Sequence, residues 1–190
     1  AGIECIFVRQ AEQLGLGHAV LCAERAVGRD PFAVLLADDF LTDYEPGVTA
    51  DLAQAFARSG KAQLSVMEVD GPDISRYGVV VPSSSGASVA GLVEKPTSIE
   101  APSNLASIGR YVLTPDFFDT LRGLPAGFGG EIQLADAINI HAQRGSVEMV
   151  RLNGKRFDCG SVEGFMAAFS NEFASRAFDR MMPRHSSRQP

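Results

Sequence analysis

The sequence has no tryptophan, only three cysteines and three histidines. The cysteines, at positions 5, 22 and 159, are odd in number and far apart, which suits neither a disulfide framework nor a zinc site. Such sparse cysteines are typical of a reducing compartment, so we expect a cytoplasmic protein. No stretch approaches the roughly 18 apolar residues of a membrane span, and we expect no membrane partner.

An excess of basic residues is also lacking. The chain has 17 Lys and Arg against 23 Asp and Glu, a net charge of −6, and no basic run. The sequence therefore lacks the clustered basic residues typical of a nucleic-acid-binding protein, and no nucleic-acid partner is expected. An anionic ligand would have to be met by local groups or by a metal ion.

What the sequence does contain is a globular composition with alternating strand and helix patterns. At 190 residues with 45% hydrophobic content, we expect one domain over residues 1–180 and a flexible tail over 181–190. Short apolar runs at 3–8, 32–36 and 63–69 alternate with helical spacing at 19–27 and 48–60. This order favours an α/β fold, with the run at 32–36 covered on both faces.

The second half continues with closer strands. Residues 77–81 and 89–93 flank a serine and glycine turn, which predicts a hairpin-like insertion. Further patterns predict strands at 106–113 and 147–152. Three helices are also predicted: one that ends near residue 124, one that covers 132–142, and a last one capped by Ser161. That last helix carries a long apolar face, which includes Phe165, Phe169, Phe173 and Phe178, so we expect a homo-oligomer contact there.

Polar residues follow several of the predicted strands. Asp38 and Asp39 end one apolar run, and Glu94 and Lys95 end another. In an open α/β sheet such positions line the ligand crevice. The aspartate pair suits Mg²⁺, which prefers carboxylate oxygens together with substrate phosphates, although a solvated turn cap would leave the same pattern.

Three other features have two interpretations each. Glu94 could bind sugar hydroxyls and Lys95 could bind a phosphate, but Glu94 and Lys95 could equally be a pair of charged residues on the surface. Pro96 favours an extended backbone at Lys95. The glycines at 15 and 17 either let a flat base approach the backbone or form a tight turn, and His18 is interpreted as a turn or helix-start residue. Asp158 is either a second metal-binding carboxylate or part of the turn before Ser161.

Taken together, eight segments resemble the bacterial UTP–glucose-1-phosphate uridylyltransferases of the sugar-nucleotide pyrophosphorylase superfamily. No single segment carries the resemblance, but their combination and order are specific to that superfamily. They are residues 8–10, 15–23, 77–80, 93–96, 102–106, 109–113, the Glu-Ile-Gln-Leu motif at 131–134, and 158–160.

The resemblance implies a fold, a reaction and roles for individual residues. The fold would be a Rossmann-like nucleotidyltransferase domain with a largely parallel central sheet. The substrates would be UTP and glucose 1-phosphate, with Mg²⁺ as cofactor. Gln10 and the backbone at Gly15 would bind the uracil, and the metal would be held by Asp38 and Asp158. The glucose 1-phosphate would be contacted by Gly78, Glu94, Lys95, Asn104 and Glu131.

One departure from the family pattern shapes a further expectation. The family's G-x-G-T-R-x-x-P-x-T-K loop occurs nowhere in this sequence. We therefore expect the chain to be an N-terminally truncated, carboxyl-terminal portion that is inactive alone. The alternatives are a thymidylyl-, cytidylyl- or adenylyltransferase, which would use a similar crevice, and a non-catalytic binding or assembly module.

Overall fold

The computed structural model describes residues 2–42, 45–84 and 86–181. Two short 3₁₀ segments, Gly71–Arg76 and Phe128–Gly130, accompany the helices and strands. In chain order the elements are α1 (Leu16–Cys22), α2 (Glu24–Val27), β1 (Phe32–Leu35), β2 (Asp39–Thr42), α3 (Val48–Ser59), β3 (Ala62–Glu68), β4 (Gly78–Pro82), β5 (Val89–Glu94), β6 (Leu105–Leu113), α4 (Asp116–Gly123), α5 (Leu134–Gln143), β7 (Val147–Arg151), β8 (Lys155–Asp158) and α6 (Val162–Met181).

These elements form two compact units. The first lies within Ala1–Leu36 and Tyr44–Asn153, and the second within Ala37–Asp43 and Gly154–Pro190. The expected domain over 1–180 stays a prediction. Of the expected tail over 181–190, residues 182–190 lie outside the described part of the chain.

The first unit is built on a six-stranded sheet with the order β5-β4-β6-β3-β7, in which β1 also pairs with β6. The α/β class and the Rossmann-like nucleotidyltransferase fold are confirmed. Strand directions differ from the largely parallel sheet that the resemblance implies, because β3 and β7 are the parallel pair and the other described pairs in this sheet are antiparallel. The reason is the position of β6. It runs opposite to β1, β3 and β4, so strands that share one direction pair with it rather than with each other.

Helices α4 and α5 pack into the main core with the central strands. Each contributes large side chains that are almost fully buried, such as Phe117 and Leu121 from α4 and Ile138 from α5. They belong to one cluster with Leu64 and Leu113 of the sheet. Because the buried residues of α4 recur at positions i, i+1 and i+4, one helix face is apolar and docks on the sheet.

Two predictions about the first unit are wrong. The apolar run at 3–8 forms no strand and is exposed, with Ile3 91% and Phe7 96% accessible. An extended segment becomes a strand only through ladder hydrogen bonds, and none joins this run to the described strands. The run at 32–36 does form β1, but its residues alternate between half-buried and exposed rather than being covered on both faces.

The second unit contains a two-stranded ladder and a long helix. Strands β2 and β8 pair antiparallel, which places Asp39 opposite Asp158. Ser161 caps the start of α6 as predicted, because its Oγ accepts a hydrogen bond of 3.1 Å from the Gly164 N–H. Within the described residues, no helix has the length and apolar character needed to cross a membrane.

Candidate functional site

In the first unit, a polar cluster lies where the chain enters α1. The Gln10 side-chain amide donates to the Gly15 carbonyl at 3.1 Å and lies 2.9 Å from His18 Nδ1. Gly15 itself adopts φ +91°, a left-handed conformation that favours glycine. The two residues that the resemblance assigns to the base are therefore in direct contact.

Gly15 also lies against the segment that precedes α5. A Cβ placed on Gly15 would lie 2.7 Å from the Glu131 Cβ and 3.1 Å from one of its carboxylate oxygens. The two segments are joined by backbone bonds, from the Ile132 N–H to the Leu14 carbonyl at 2.7 Å and from the Gly17 N–H to the Ile132 carbonyl at 2.8 Å. The glycines at 15 and 17 thus permit a close approach of the backbone at 131–133, whereas the approach of a base to them stays a prediction.

Glu131 in turn shares a cavity with the residues that end β5. This cavity has a volume of about 690 Å³ and is lined by Glu94, Lys95, Gly129, Glu131, Gln133 and Asp136. Gln133 donates to a Glu131 carboxylate oxygen at 2.9 Å, which fixes the orientation of that side chain. The cavity therefore offers carboxylate acceptors beside one ammonium group, a combination suited to a hydroxylated and negatively charged ligand.

The backbone at Lys95 differs from the extended conformation predicted from Pro96. Lys95 has φ +45°, which is rare for a residue other than glycine. The conformation is held by a hydrogen bond of 3.0 Å from the Lys95 N–H to the Tyr77 carbonyl and by burial of the following Pro96. Backbone strain of this kind, worth roughly 1–3 kcal/mol, is concentrated at functional sites.

The electrostatics of the cavity act on Glu94. Desolvation by the surrounding protein raises the pKa of the Glu94 carboxyl above its usual value. The Lys95 ammonium opposes this rise in pKa, and the Asp136 carboxylate adds to it. A carboxyl group with a raised pKa in a cavity is a frequent property of binding and catalytic sites.

The two remaining predicted sugar-phosphate residues are placed differently from each other. Gly78 pairs with Glu94 across the β4–β5 ladder, and a Cβ on Gly78 would lie 3.0 Å from a Glu94 carboxylate oxygen. Asn104 instead donates to Asp70 at 3.2 Å and lines a separate cavity of about 380 Å³. The first cavity thus adjoins Gly78 but is not lined by Asn104, whose proposed role stays a prediction.

In the second unit, Asp38 and Asp158 face the same glycine. A Cβ on Gly160 would lie 3.1 Å from Asp158 Oδ1 and 3.3 Å from Asp38 Oδ2, so both carboxylates point toward one position. The Cys159 N–H donates to the Asp38 carbonyl at 2.8 Å and holds the two segments together. No described group of three or more His, Cys, Asp or Glu residues could hold a metal ion, but a pair of carboxylates fits a cation that completes its shell with substrate oxygens.

Asp38, to which the resemblance assigns the metal, and its neighbour Asp39 have different environments. Asp39 is only 5% exposed and forms an ion pair with Arg156 of β8. Asp38 is exposed. Because the buried Asp39 carboxylate is paired with the half-buried Arg156, Asp38 is the member of the pair that can contact a ligand.

Comparison with known proteins decides the family. A family model described as "Nucleotidyl transferase" matches residues 1–175. The chain belongs to the nucleotidyl transferase family. Nucleotidyl transferases generally use a divalent metal ion.

Individual nucleotidyl transferases show how far the likeness extends. The chain is 42% identical over 171 residues to a UTP–glucose-1-phosphate uridylyltransferase of Pseudomonas aeruginosa, covering 87% of this chain and 61% of that protein. The corresponding protein of Escherichia coli K12 is 44% identical over 172 residues, with 85% and 56% covered. The chain thus spans about three-fifths of the length of these curated relatives.

Solved structures give the same result. A crystal structure of UDP-glucose pyrophosphorylase complexed with UDP-glucose superposes with a TM-score of 0.82 at 39% identity, covering 89% of this chain and 65% of that one. A UTP-bound UGPase from Acinetobacter baumannii gives a TM-score of 0.78 at 38% identity, covering 93% of this chain and 60% of that one. Both likenesses extend over nearly the whole of this nucleotidyl transferase chain.

Sequence reasoning missed three residues of the site in this nucleotidyl transferase. Gln133 and Asp136 line the cavity, and His18 contacts Gln10. Gln133 lies within the Glu-Ile-Gln-Leu motif, and Asp136 lies in the first turn of the helix that follows the motif, so their proximity to Glu131 in the sequence was a usable signal. The contact of His18 with Gln10 had no such signal, because it depends on how the loop at 11–15 folds back.

Proposed function

We propose that the complete gene product carrying this chain is a uridylyltransferase that forms UDP-glucose and pyrophosphate from UTP and glucose 1-phosphate. The observation that carries the proposal is the cavity in which Glu94, Lys95 and Glu131 face one space, with Glu131 against the Gln10 and Gly15 cluster. Sugar hydroxyls would bind the carboxylates, and the sugar phosphate would bind the ammonium group. The names of the similar proteins support the same substrates.

The reaction requires little acid–base chemistry. A phosphate oxygen of glucose 1-phosphate forms a bond to the α-phosphorus of UTP. The bond from that phosphorus to the oxygen shared with the β-phosphorus breaks, and pyrophosphate leaves with that oxygen. The second pKa of a phosphomonoester is about 6, so the nucleophile is already mostly a dianion at neutral pH. Positioning and charge neutralisation are the main contributions that the protein has to make.

Each residue of the first unit has a defined part in this proposal. Lys95 neutralises the sugar phosphate and reduces its repulsion from the triphosphate. Glu94 and Glu131 accept hydrogen bonds from sugar hydroxyls, while Gly78 leaves the space that the Glu94 carboxylate occupies. Gln10 and the Gly15 backbone bind the uracil. Asn104 is included as a contact to glucose 1-phosphate on the resemblance alone.

The second unit supplies the metal-binding groups. We infer that Asp38 and Asp158 hold Mg²⁺, because both carboxylates face Gly160 and such hard oxygen ligands suit this ion. The ion would supply charge stabilisation at the phosphates that react. Asp39 and Arg156 hold strands β2 and β8 together, which keeps the two carboxylates at adjacent positions.

The proposal is tested by pyrophosphate release from the complete gene product. We expect turnover with UTP and glucose 1-phosphate, and much less with dTTP, CTP or ATP. Lys95→Ala should reduce kcat/KM for glucose 1-phosphate by roughly 10- to 150-fold while UTP binding stays within about twofold, since a charge-assisted contact is worth about 1.5–3 kcal/mol. Lys61→Ala, which removes a lysine paired with Glu148, is the matched control.

Two outcomes would contradict the proposal. A preference for another nucleotide would identify a thymidylyl-, cytidylyl- or adenylyltransferase instead. A complete gene product that binds UTP but turns over no sugar phosphate would identify a binding or assembly module.

We also propose a homo-oligomer in the cytoplasm. The described part of α6 exposes Phe165, Phe169 and Phe173 at 56%, 61% and 68%, more apolar surface than a helix in water usually leaves uncovered. The free cysteines suit a reducing compartment. Sedimentation of the complete gene product should show an oligomer, and Phe169→Asp should shift it toward monomer.

A further inference from the structure

His18 connects the residue proposed to bind the base with the start of α1. Gln10 Nε2 lies 3.1 Å from the Gly15 carbonyl oxygen and 2.9 Å from His18 Nδ1. The Cys22 sulfur packs on the same ring, 3.8 Å from Nε2 and 3.9 Å from Nδ1. All of these side chains are half-buried, so the geometry is enclosed by protein but still open to a ligand.

Donor and acceptor rules fix which way the Gln10 amide points. The Gly15 carbonyl can only accept, so the amide atom that faces it must be the NH₂ nitrogen. The second hydrogen of that nitrogen is directed at His18 Nδ1, which must therefore accept with its lone pair. This requires a neutral imidazole with its proton on Nε2. The Cys22 sulfur is almost equally far from both nitrogens, so it limits ring rotation without selecting the tautomer.

The consequence is that the carbonyl oxygen of Gln10 is the group left for a ligand. Both amide hydrogens are used inside the protein, so this side chain presents an acceptor. Uracil carries a donor at N3, whereas cytosine carries a lone pair at the same atom. An acceptor held in this position therefore attracts the N3–H of uracil and repels N3 of cytosine.

We propose, on the basis of the proposed uridylyltransferase function, that His18 is a positioning residue that holds the Gln10 amide with its carbonyl toward the base and so sets the preference for uracil over cytosine. His18 does this without touching the base itself. Its effect should appear in nucleotide binding and selectivity rather than in the chemical step.

The test uses the complete gene product as wild type, His18→Leu and His18→Gln, with Cys22→Ala as the control. Leucine removes the acceptor, and the glutamine side chain restores a carbonyl acceptor on α1. We expect His18→Leu to raise KM for UTP about fivefold to tenfold, to leave kcat within about twofold, and to lower the UTP-to-CTP ratio of kcat/KM by a similar factor. His18→Gln should recover most of the ratio, and Cys22→Ala should change it less than His18→Leu does.

Wild-type measurements separate this inference from the function on which it rests. If wild type does not prefer UTP, the proposed function is wrong and the role of His18 is overturned with it. If wild type prefers UTP but His18→Leu keeps the wild-type ratio, only the role of His18 is overturned. Should His18→Leu fail to fold, His18→Ala replaces it as the variant without an acceptor: a lowered ratio supports the positioning role, and the wild-type ratio overturns it.

Discussion

Gly15 and Glu131 are packed so closely that a Cβ on Gly15 would lie 2.7 Å from the Glu131 Cβ. This contact joins the cluster proposed to bind the base to the cavity proposed to bind the sugar phosphate. Only a residue without a side chain permits it, and the left-handed φ of +91° at Gly15 adds a second requirement for glycine.

We expect Gly15→Ala to destabilise the complete gene product and to abolish most UTP turnover. The control is Gly28→Ala, where φ is +76° but nothing lies within 4 Å of an added Cβ. Gly28→Ala should cost only the conformational strain of about 1–2 kcal/mol, whereas Gly15→Ala adds an overpacking cost of about 1–3 kcal/mol. Urea denaturation measures both, and equal losses of stability would show that the contact with Glu131 does not matter.

Gly160→Ala should raise the Mg²⁺ concentration needed for half-maximal turnover. The added methyl group would lie 3.1 Å from Asp158 Oδ1 and 3.3 Å from Asp38 Oδ2, in the space that the carboxylates share. Turnover against Mg²⁺ concentration is the measurement. The exposed Asp30→Ala serves as a carboxylate control and should leave the curve unchanged. A wild-type Mg²⁺ curve in Gly160→Ala would argue against a metal at this position.

Asp38→Ala and Asp158→Ala should each remove most Mg²⁺-dependent turnover, and the double variant should lose far less than the sum of the two losses. Two carboxylates that share one cation act as a unit, so their contributions to the free energy of activation are not additive. If Asp158 only shapes the turn before Ser161, its replacement should cost about 1 kcal/mol of stability and leave the Mg²⁺ curve unchanged.

Glu94→Gln should stabilise the protein at neutral pH while reducing turnover of the sugar phosphate. Because the folded state raises the pKa of Glu94, the wild type binds this proton more tightly when folded. The contribution of Glu94 to stability is present below the usual carboxyl pKa and is lost as the pH rises through the raised pKa of the folded state. Denaturation from pH 4 to pH 8 should therefore show that the free energy of unfolding of Glu94→Gln increases relative to that of wild type as the pH rises.

Glu148→Gln is the control, because the folded protein lowers the pKa of Glu148 and raises that of Glu94. Burial opposes ionisation of Glu148, but hydrogen bonds from Gln63 and Ser59 and the charge of Lys61 lower its pKa overall. A lowered pKa contributes stability above the usual carboxyl value that is lost as the pH falls. Glu148→Gln should therefore be less stable than wild type at neutral pH, with the difference shrinking in acid. The same pH trend in both variants would refute these assignments.

His141 should make stability fall in mild acid. Its ring is buried, stacks on Phe117 at 3.8 Å between ring centroids, and lies 2.9 Å from Thr120 Oγ1. Desolvation lowers the pKa of His141, so the stability it contributes is present above the usual value of about 6.5 and is lost as the pH falls through the lowered value. His141→Leu should flatten the dependence of unfolding free energy on pH between about 7 and 5. Identical slopes for the two proteins would exclude this role.

The sequence alone predicted the elements whose apolar spacing is regular. Strands β3 to β7 and helices α3 to α5 lie within a residue or two of their expected positions, because periodic burial is encoded locally. The family was also readable from short segments, since the residues at 15–23, 93–96 and 131–134 form motifs within single stretches of chain. Strands β2 and β8 were not predicted, because each is four residues long and has no clear period.

Tertiary structure decided the features that depend on residues far apart in the chain. Which strands pair with β6, and so the antiparallel ladders, depends on the path of the connections rather than on any local pattern. The different environments of Asp38 and Asp39 depend on Arg156, more than a hundred residues away, because a buried carboxylate needs a cation and an exposed one does not. The left-handed Lys95 and the contact of Gly15 with Glu131 have the same origin, since packing and long-range hydrogen bonds override what the neighbouring residues favour.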